Sequence, residues 1–306
     1  MNTTDGKHFC SFCGKGKYES KKLIVGKDGV IVCDSCVISF YGIVSENSST
    51  LSVELRDSYK FVENVFLFSN FVAGDGNKFA HEAAMNIANS FEPAYNPLYI
   101  YGGAGIGKTH LLNAIGNRVK AREPDMNICY IHTMEYIREL VSAFQSKRRS
   151  EFRGYFESLD LLLIDDIQYI DGKSGTQREF LELLELLIAA NKQVVIAADA
   201  YPKNIVGIEP ELISRFCRGL VVAIEPLGLE LQVSILRQKC SELGCSIGDD
   251  ILNFIVEHFG GDVRQIEGAL TSINFHTKLM SCPVTINSVK KLFPNSQGLE
   301  SKVATA

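Results

Sequence analysis

The run Gly102-Gly103-Ala104-Gly105-Ile106-Gly107-Lys108-Thr109 constrains the fold more than any other feature of this chain. It fits the pattern G-x-x-x-x-G-K-[ST]. The apolar stretch Pro97-Leu98-Tyr99-Ile100-Tyr101 precedes it, and His110-Leu111-Leu112-Asn113-Ala114-Ile115 follows with the character of a helix. Strand, glycine loop and helix, in that order, are the setting in which this motif cradles phosphate. The glycines let the backbone N–H groups wrap an anion, and the new helix points its positive end at it. Lys108 is expected to reach the β- and γ-phosphates, and the Thr109 hydroxyl to hold Mg²⁺. His110, directly after the loop, belongs to the same nucleotide-binding set. The alternative, a glycine-rich turn without ligand, leaves the two flanking elements unexplained.

Around this motif the chain alternates short β-branched runs with longer helical ones. Strands are predicted at 98–101, 128–131, 160–164, 194–198 and 220–224. Helices are predicted at 77–90, 108–121, 134–145, 176–190 and 209–215. Such alternation calls for a parallel sheet covered by helices, an α/β class of fold. From 227 the character changes to helices alone, at 229–243, 249–258, 262–279 and 287–293. The expected organisation is a cysteine-bearing unit over 1–44, a polar linker over 45–61 and a nucleotide-binding αβα domain over 62–225. A helical lid over 226–293 and an unstructured tail over 294–306 follow. There is no internal repeat.

Cys10-x-x-Cys13 and Cys33-x-x-Cys36 form two pairs separated by residues 14–32, a spacing that signals zinc. Four thiolates close a tetrahedron and leave no position for catalysis. Leu23-Ile24-Val25 and Val30-Ile31-Val32 flank Lys27-Asp28-Gly29 and read as a hairpin. So small a module lacks the core to fold alone, and metal supplies the missing stability. Disulfides or free thiols are the alternative. Cys129, Cys217, Cys240, Cys245 and Cys282 lack ligand spacing. The segment Cys10-Ser11-Phe12-Cys13-Gly14-Lys15, with Lys22-Leu23-Ile24 and Cys33-Asp34-Ser35-Cys36-Val37, resembles the zinc-binding N-terminal domain of the ClpX unfoldases. The resemblance implies a module that pairs with itself and docks substrates or adaptors.

Leu161-Leu162-Leu163-Ile164-Asp165-Asp166 is an apolar strand ending in two carboxylates, a Walker B element once it follows a phosphate loop. Asp165 is expected to bind Mg²⁺ and Asp166 to orient or deprotonate the attacking water. From about Val62 to Leu292 the chain resembles the AAA+ domain of the DnaA replication initiators. The resemblance rests on Asn96-Pro97-Leu98-Tyr99-Ile100-Tyr101-Gly102-Gly103, Gly107-Lys108-Thr109-His110-Leu111-Leu112 and Ile164-Asp165-Asp166-Ile167-Gln168. Ser214-Arg215-Phe216, Ala223-Ile224-Glu225-Pro226 and Val263-Arg264-Gln265-Ile266-Glu267-Gly268-Ala269-Leu270 complete it.

That resemblance implies further roles. Asp199 matches sensor 1 near the γ-phosphate, Arg215 the arginine finger offered to a neighbouring subunit, and Arg264 the sensor 2 arginine on the lid. On chemistry alone Arg215 also reads as a surface ion pair and Arg264 as a solvated helix residue. Phe71 to Asn77 matches the segment that closes over adenine. In the extra helix before Walker B, Val141 matches an apolar contact to single-stranded DNA, and Lys173 matches a basic one. Gly175 and Glu211 depart from the family, where arginines are usual. The stretch after the lid has no room for the family's C-terminal helix-turn-helix, so this sequence is not expected to read duplex DNA. Lys147-Arg148-Arg149 with Arg153 is the densest basic cluster, either a solvated helix face or a phosphate contact.

A net charge of −5 excludes a generally basic nucleic-acid coat. The polar start, Met1 to Lys7, lacks a signal-peptide core, and no apolar run approaches a membrane span, so a cytoplasmic protein is expected. The expected function is a DnaA-like, ATP-binding switch in replication initiation or its regulation, with slow hydrolysis of ATP. It would assemble with itself, an initiator or a helicase. ATP, Mg²⁺ and Zn²⁺ are the implied cofactors. The alternatives are a ClpX-like remodelling ATPase, for which Tyr155-Phe156 superficially suggests a pore loop, and a passive nucleotide-gated or zinc-dependent adaptor.

Overall fold

Apolar runs that alternate with helices bury both faces of each strand when the strands run parallel and helices sheathe the sheet. The computed structural model describes residues 9–11, 23–25, 31–33, 63, 65–90, 95–280 and 284–293. The chain divides into two units, Met1–Tyr59 and Lys60–Ala306.

In the first unit β1 (Leu23–Val25) pairs antiparallel with β2 (Ile31–Cys33), with Leu23 opposite Cys33 and Val25 opposite Ile31. These are the two strands of the expected hairpin, the second shifted by one residue. The turn residues 26–30, the cysteines Cys13 and Cys36, and the expected linker 45–61 lie outside the described residues.

The second unit opens with α1 (Lys78–Asn89). It continues through β3 (Leu98–Tyr101), α2 (Lys108–Arg122), β4 (Ile128–His132), α3 (Thr133–Gln145), α4 (Arg149–Glu157) and β5 (Leu161–Asp165). Then come α5 (Ser174–Ala189), β6 (Gln193–Ala198), α6 (Pro210–Phe216) and β7 (Leu220–Ala223). The five strands form one parallel sheet in the order β4-β5-β6-β3-β7. Every residue of β5 and β6 is buried, which is why the runs Leu161 to Ile164 and Val194 to Ala198 read as continuously apolar; Asp165 and Gln193 are buried polar ends. Leu98, Ile100, Leu163 and Val195 share a core with Leu111 and Ile115 of α2 and Ala84 and Ile87 of α1.

The elements named in the sequence fall within two residues of their observed bounds, but α4 has no counterpart among them. Gly154 and the arginines disguise it. What makes it a helix is the pair Phe152 and Phe156, one turn apart, whose rings lie 5.6 and 5.4 Å from that of Tyr136. Phe156 is fully buried. Tyr155-Phe156 is therefore helical and packed, which leaves no pore loop there.

Four helices follow: α7 (Leu229–Leu243), α8 (Asp249–Phe259), α9 (Val263–Met280) and α10 (Ile286–Leu292). They enclose their own core of Leu236, Ile255, Ile266, Leu270 and Val289. The lid docks on the sheet domain through Val263 N, which donates to Gly105 O at 2.9 Å, and Gln238 Nε2, which donates to Asn70 O at 2.7 Å. Cys282 and the tail 294–306 lie outside the described residues. Among the described residues no helix is long and apolar enough to cross a membrane.

Candidate functional site

Parallel strands place their carboxyl ends on one edge, and open α/β sheets bind ligands in the crevice there. Here β6 lies between β3, which feeds the glycine loop, and β5, which ends in the acidic pair. Gly102 N donates to Ala198 O at 3.2 Å, so the loop leaves the sheet beside the residue that precedes Asp199.

The loop needs its glycines. Gly105 and Gly107 have φ of 63° and 103°, a region side chains rarely occupy. A Cβ on Gly105 would lie 1.6 Å from Asp262 Oδ1. Ile106 is buried in the core beneath, while Gly103 and Ala104 are exposed. Lys108 begins α2 and is buried; its Nζ donates to Gly102 O at 2.7 Å and Gly103 O at 2.6 Å. Burial lowers its pKa from the ordinary lysine value, against the opposing charges of Asp166, Asp165 and Asp199.

Thr109 Oγ1 donates to Asp165 Oδ2 at 2.6 Å, and Tyr130 OH donates to the same oxygen at 3.0 Å. Burial, then the Asp165 charge, raises the Tyr130 pKa, so its phenol keeps the proton it donates. A hydroxyl and a carboxylate this close are hard-oxygen donors of the kind Mg²⁺ takes.

Asp166 follows the strand with φ of 56°, unusual for a residue with a side chain. Both its oxygens are held: Oδ2 lies 2.9 Å from His132 Nε2, and Oδ1 accepts from Gln168 Nε2 at 2.9 Å. His132 Nδ1 accepts from Met134 N at 3.3 Å, which leaves the Nε2 proton facing Asp166. The bond from His132 lowers the Asp166 pKa, and the same bond raises that of His132. Gln168 Oε1 accepts from Asp199 N at 3.3 Å. A chain of polar contacts thus joins Asp199, Gln168, Asp166 and His132. Asp165, Asp166 and Asp199 were expected here from the sequence; Tyr130, His132 and Gln168 were not. The one signal in the sequence was His132 closing the run of β4; its register opposite Asp165 appears only in the sheet.

The two arginines sit in pairs of their own. Arg215 Nη2 lies 2.5 Å from Glu185 Oε1. Arg264 Nε and Nη2 donate to Asp262 Oδ1 at 3.1 Å and Oδ2 at 2.9 Å, yet Arg264 still feels the charge of Asp166. Within the chain, Arg215 is the surface ion pair that chemistry alone allowed. On α3, Val141 is exposed together with Met134 and Phe144. Lys173, exposed before α5, donates to Tyr169 O at 2.8 Å. Part of the basic cluster is neutralised: Arg149 lies 2.6 Å from Glu179, and Arg153 lies 2.8 Å from Glu157 and 3.2 Å from Glu182. At those two arginines the solvated helix face is what the geometry shows.

Beside the loop a cavity of about 610 Å³ is lined by Phe71, Asn77, Gly107 and His110 from the sheet domain and by Leu227 and Ile235 from the lid. This is the size of a small-molecule site. The segment expected to close over adenine lines it. His110 Nε2 lies 2.9 Å from Leu67 O, its ring 5.1 Å from Phe71, and burial lowers its pKa.

In the first unit Cys10 and Cys33 are both buried, and Cys33 N donates to Cys10 Sγ at 3.3 Å. An N–H aimed at sulfur favours the thiolate, the form that binds zinc, so this half of the ligand set fits the metal.

Comparison with known proteins agrees with this geometry. Residues 62–223 match the bacterial DnaA ATPase domain, and residues 8–46 match the ClpX C4-type zinc finger. The chromosomal replication initiator protein DnaA of Herminiimonas arsenicoxydans is 47% identical over 229 residues, covering 75% of this chain and 50% of the relative. The chain spans about half the length of the curated relatives it matches. Domain III of Thermotoga maritima DnaA superposes with a TM-score of 0.73 at 35% identity, covering 76% of this chain and 97% of that one. A replication initiator DnaA bound to AMPPCP and single-stranded DNA superposes with a TM-score of 0.66 at 31% identity, covering 72% of this chain and 70% of that one.

Proposed function

The chain belongs to the bacterial DnaA ATPase-domain family, and on that premise we propose that it is an ATP-dependent assembly factor in the initiation of DNA replication or its regulation. One observation carries the reading: the Thr109 hydroxyl meets the Asp165 carboxylate at 2.6 Å beneath a glycine loop that presents Lys108. That arrangement suits a Mg²⁺-bound nucleoside triphosphate. Thr109 and Asp165 would hold the Mg²⁺, which neutralises phosphate charge when bound. Lys108 turns from the loop carbonyls to the β- and γ-phosphates, and the Phe71–Asn77 segment and the lid enclose the base. Asp166, already oriented by His132 and Gln168, positions the attacking water and takes its proton. Asp199 and Arg264 read the γ-phosphate. Arg215 leaves Glu185 to reach the ATP of a neighbouring subunit.

Hydrolysis in this reading is slow, and ATP is a switch for assembly before it is a fuel. The neighbour is a second copy or a DnaA-type initiator. The exposed face of α3 around Val141, with Lys173, is offered to single-stranded DNA, a reading supported by the relative solved with that ligand. The proposed division of labour gives residues 1–44 to a docking module holding one Zn²⁺ on Cys10, Cys13, Cys33 and Cys36. Residues 45–61 link it to the nucleotide domain over 62–225, followed by the lid over 226–293. A remodelling motor is disfavoured by the burial of Phe156, where a pore loop would have to be exposed.

Titration with labelled ATP tests the site. Lys108→Ala is expected to weaken binding at least about tenfold, the worth of one charge-assisted contact; unchanged affinity would reject the nucleotide assignment. Metal analysis tests the module. One zinc per chain is expected, and zinc kept at full stoichiometry after Cys33→Ser with Cys36→Ser would reject the ligand set.

A further inference from the structure

Asp262, just before α9, has no part in the scheme above. Its Oδ1 accepts from Arg264 N at 2.9 Å, an ordinary helix cap. Capping does not account for the rest of its surroundings. The side chain is only 18% exposed and lies against the apex of the glycine loop, in the space a Cβ on Gly105 would need. The next residue, Val263, donates its N–H to Gly105 O at 2.9 Å and pins the carboxylate there. Both oxygens also hold the Arg264 guanidinium. The bond from Arg264 keeps the Asp262 pKa below the usual carboxylate range, and the charge of Lys108 adds to this. An anion therefore rests on the loop built to hold an anion, and it engages the lid arginine expected to read the γ-phosphate.

Resting on the nucleotide reading above, we propose that Asp262 is a specificity-determining residue. Its carboxylate sets an anion against the glycine loop at Gly105 and retains Arg264 until a γ-phosphate takes its place. A nucleotide without that phosphate meets the carboxylate and gains nothing from the arginine. A triphosphate exchanges one anionic partner of Arg264 for another. Because Val263 ties the start of α9 to the loop, the exchange reaches the lid directly.

The test keeps the full chain and separates charge from capping. Asparagine retains an oxygen for the cap and removes the charge. Asp262→Asn is expected to bind Mg²⁺–ATP about tenfold more tightly than the parent, the worth of one charge interaction near a protein surface, with adenosine unchanged. Arg264→Ala leaves the carboxylate unpaired beside the loop and is expected to weaken ATP binding; adding Asp262→Asn to it should recover the part of that loss due to the unpaired charge, while the contact of Arg264 with the γ-phosphate stays lost. A purely structural role for Asp262 predicts no such recovery. ATP affinity in Asp262→Asn equal to or weaker than the parent, at an unchanged melting temperature, overturns the proposal, as does absence of recovery in the double variant. A Lys108→Ala chain that binds ATP normally would instead remove the nucleotide reading itself, so the two failures are distinguishable.

Discussion

Asp166 holds a left-handed backbone conformation that costs about 1–3 kcal/mol, and two hydrogen bonds to its carboxylate keep it there. Asp166→Asn is expected to lower ATP turnover at least about a hundredfold, the contribution of a positioned general base, while leaving ATP affinity in place. The same change should move the titration of His132 down toward the ordinary imidazole value near 6.5, followed by NMR of the ring. The folded pKa of Asp166 is depressed, so its contribution to stability is present above the ordinary carboxylate value and is lost as pH falls through the folded one. That of His132 is raised, so its contribution is complete below about 6.5 and is lost as pH rises through the folded value. A His132 midpoint indifferent to Asp166→Asn would contradict this pairing. Lys108, Thr109, Asp165 and Asp166 were legible in the sequence because local motifs specify them. Tyr130 and His132 were not, because strand register brings them to the site from a different part of the chain.

The strands were legible because a parallel sheet demands apolar residues on both faces of each one, and β5 and β6 have no other kind of position to offer. Helix α4 was hidden because its identity lies in tertiary packing. Gly154 lowers its propensity, and only two of its residues are buried. Phe156→Ala should therefore cost about 3–5 kcal/mol of unfolding free energy in denaturant titration. Loss of less than about 1 kcal/mol would mean that α4 is not held by its aromatic face. The ion pairs of Arg149 and Arg153 are half exposed and add less than about 1 kcal/mol each. They settle the orientation of the helix surface more than its stability.

In the whole nucleotide-binding unit, the residues read as responding to ATP belong to different bodies. Lys108, Thr109 and Asp165 sit on the sheet edge, Arg264 on the lid and Arg215 on α6. The lid is joined to the glycine loop by Val263 and Asp262, so the state of the loop reaches α9 without an intermediary. Arg215 is held 2.5 Å from Glu185 and would have to exchange that partner for one on another chain. The resemblance names Arg215 as the expected finger but not its resting partner, since Glu185 lies a helix away. An arginine finger can be worth roughly 10³–10⁵ in rate, and a switch needs only part of that. Mixing two disabled chains measures the exchange: Arg215→Ala retains an ATP site without a finger, and Lys108→Ala retains a finger without a site. Turnover of the mixture well above the sum of the separate proteins is the predicted result. Turnover equal to that sum, with co-assembly of the two variants measured in the same sample, would contradict a finger acting between copies of this chain.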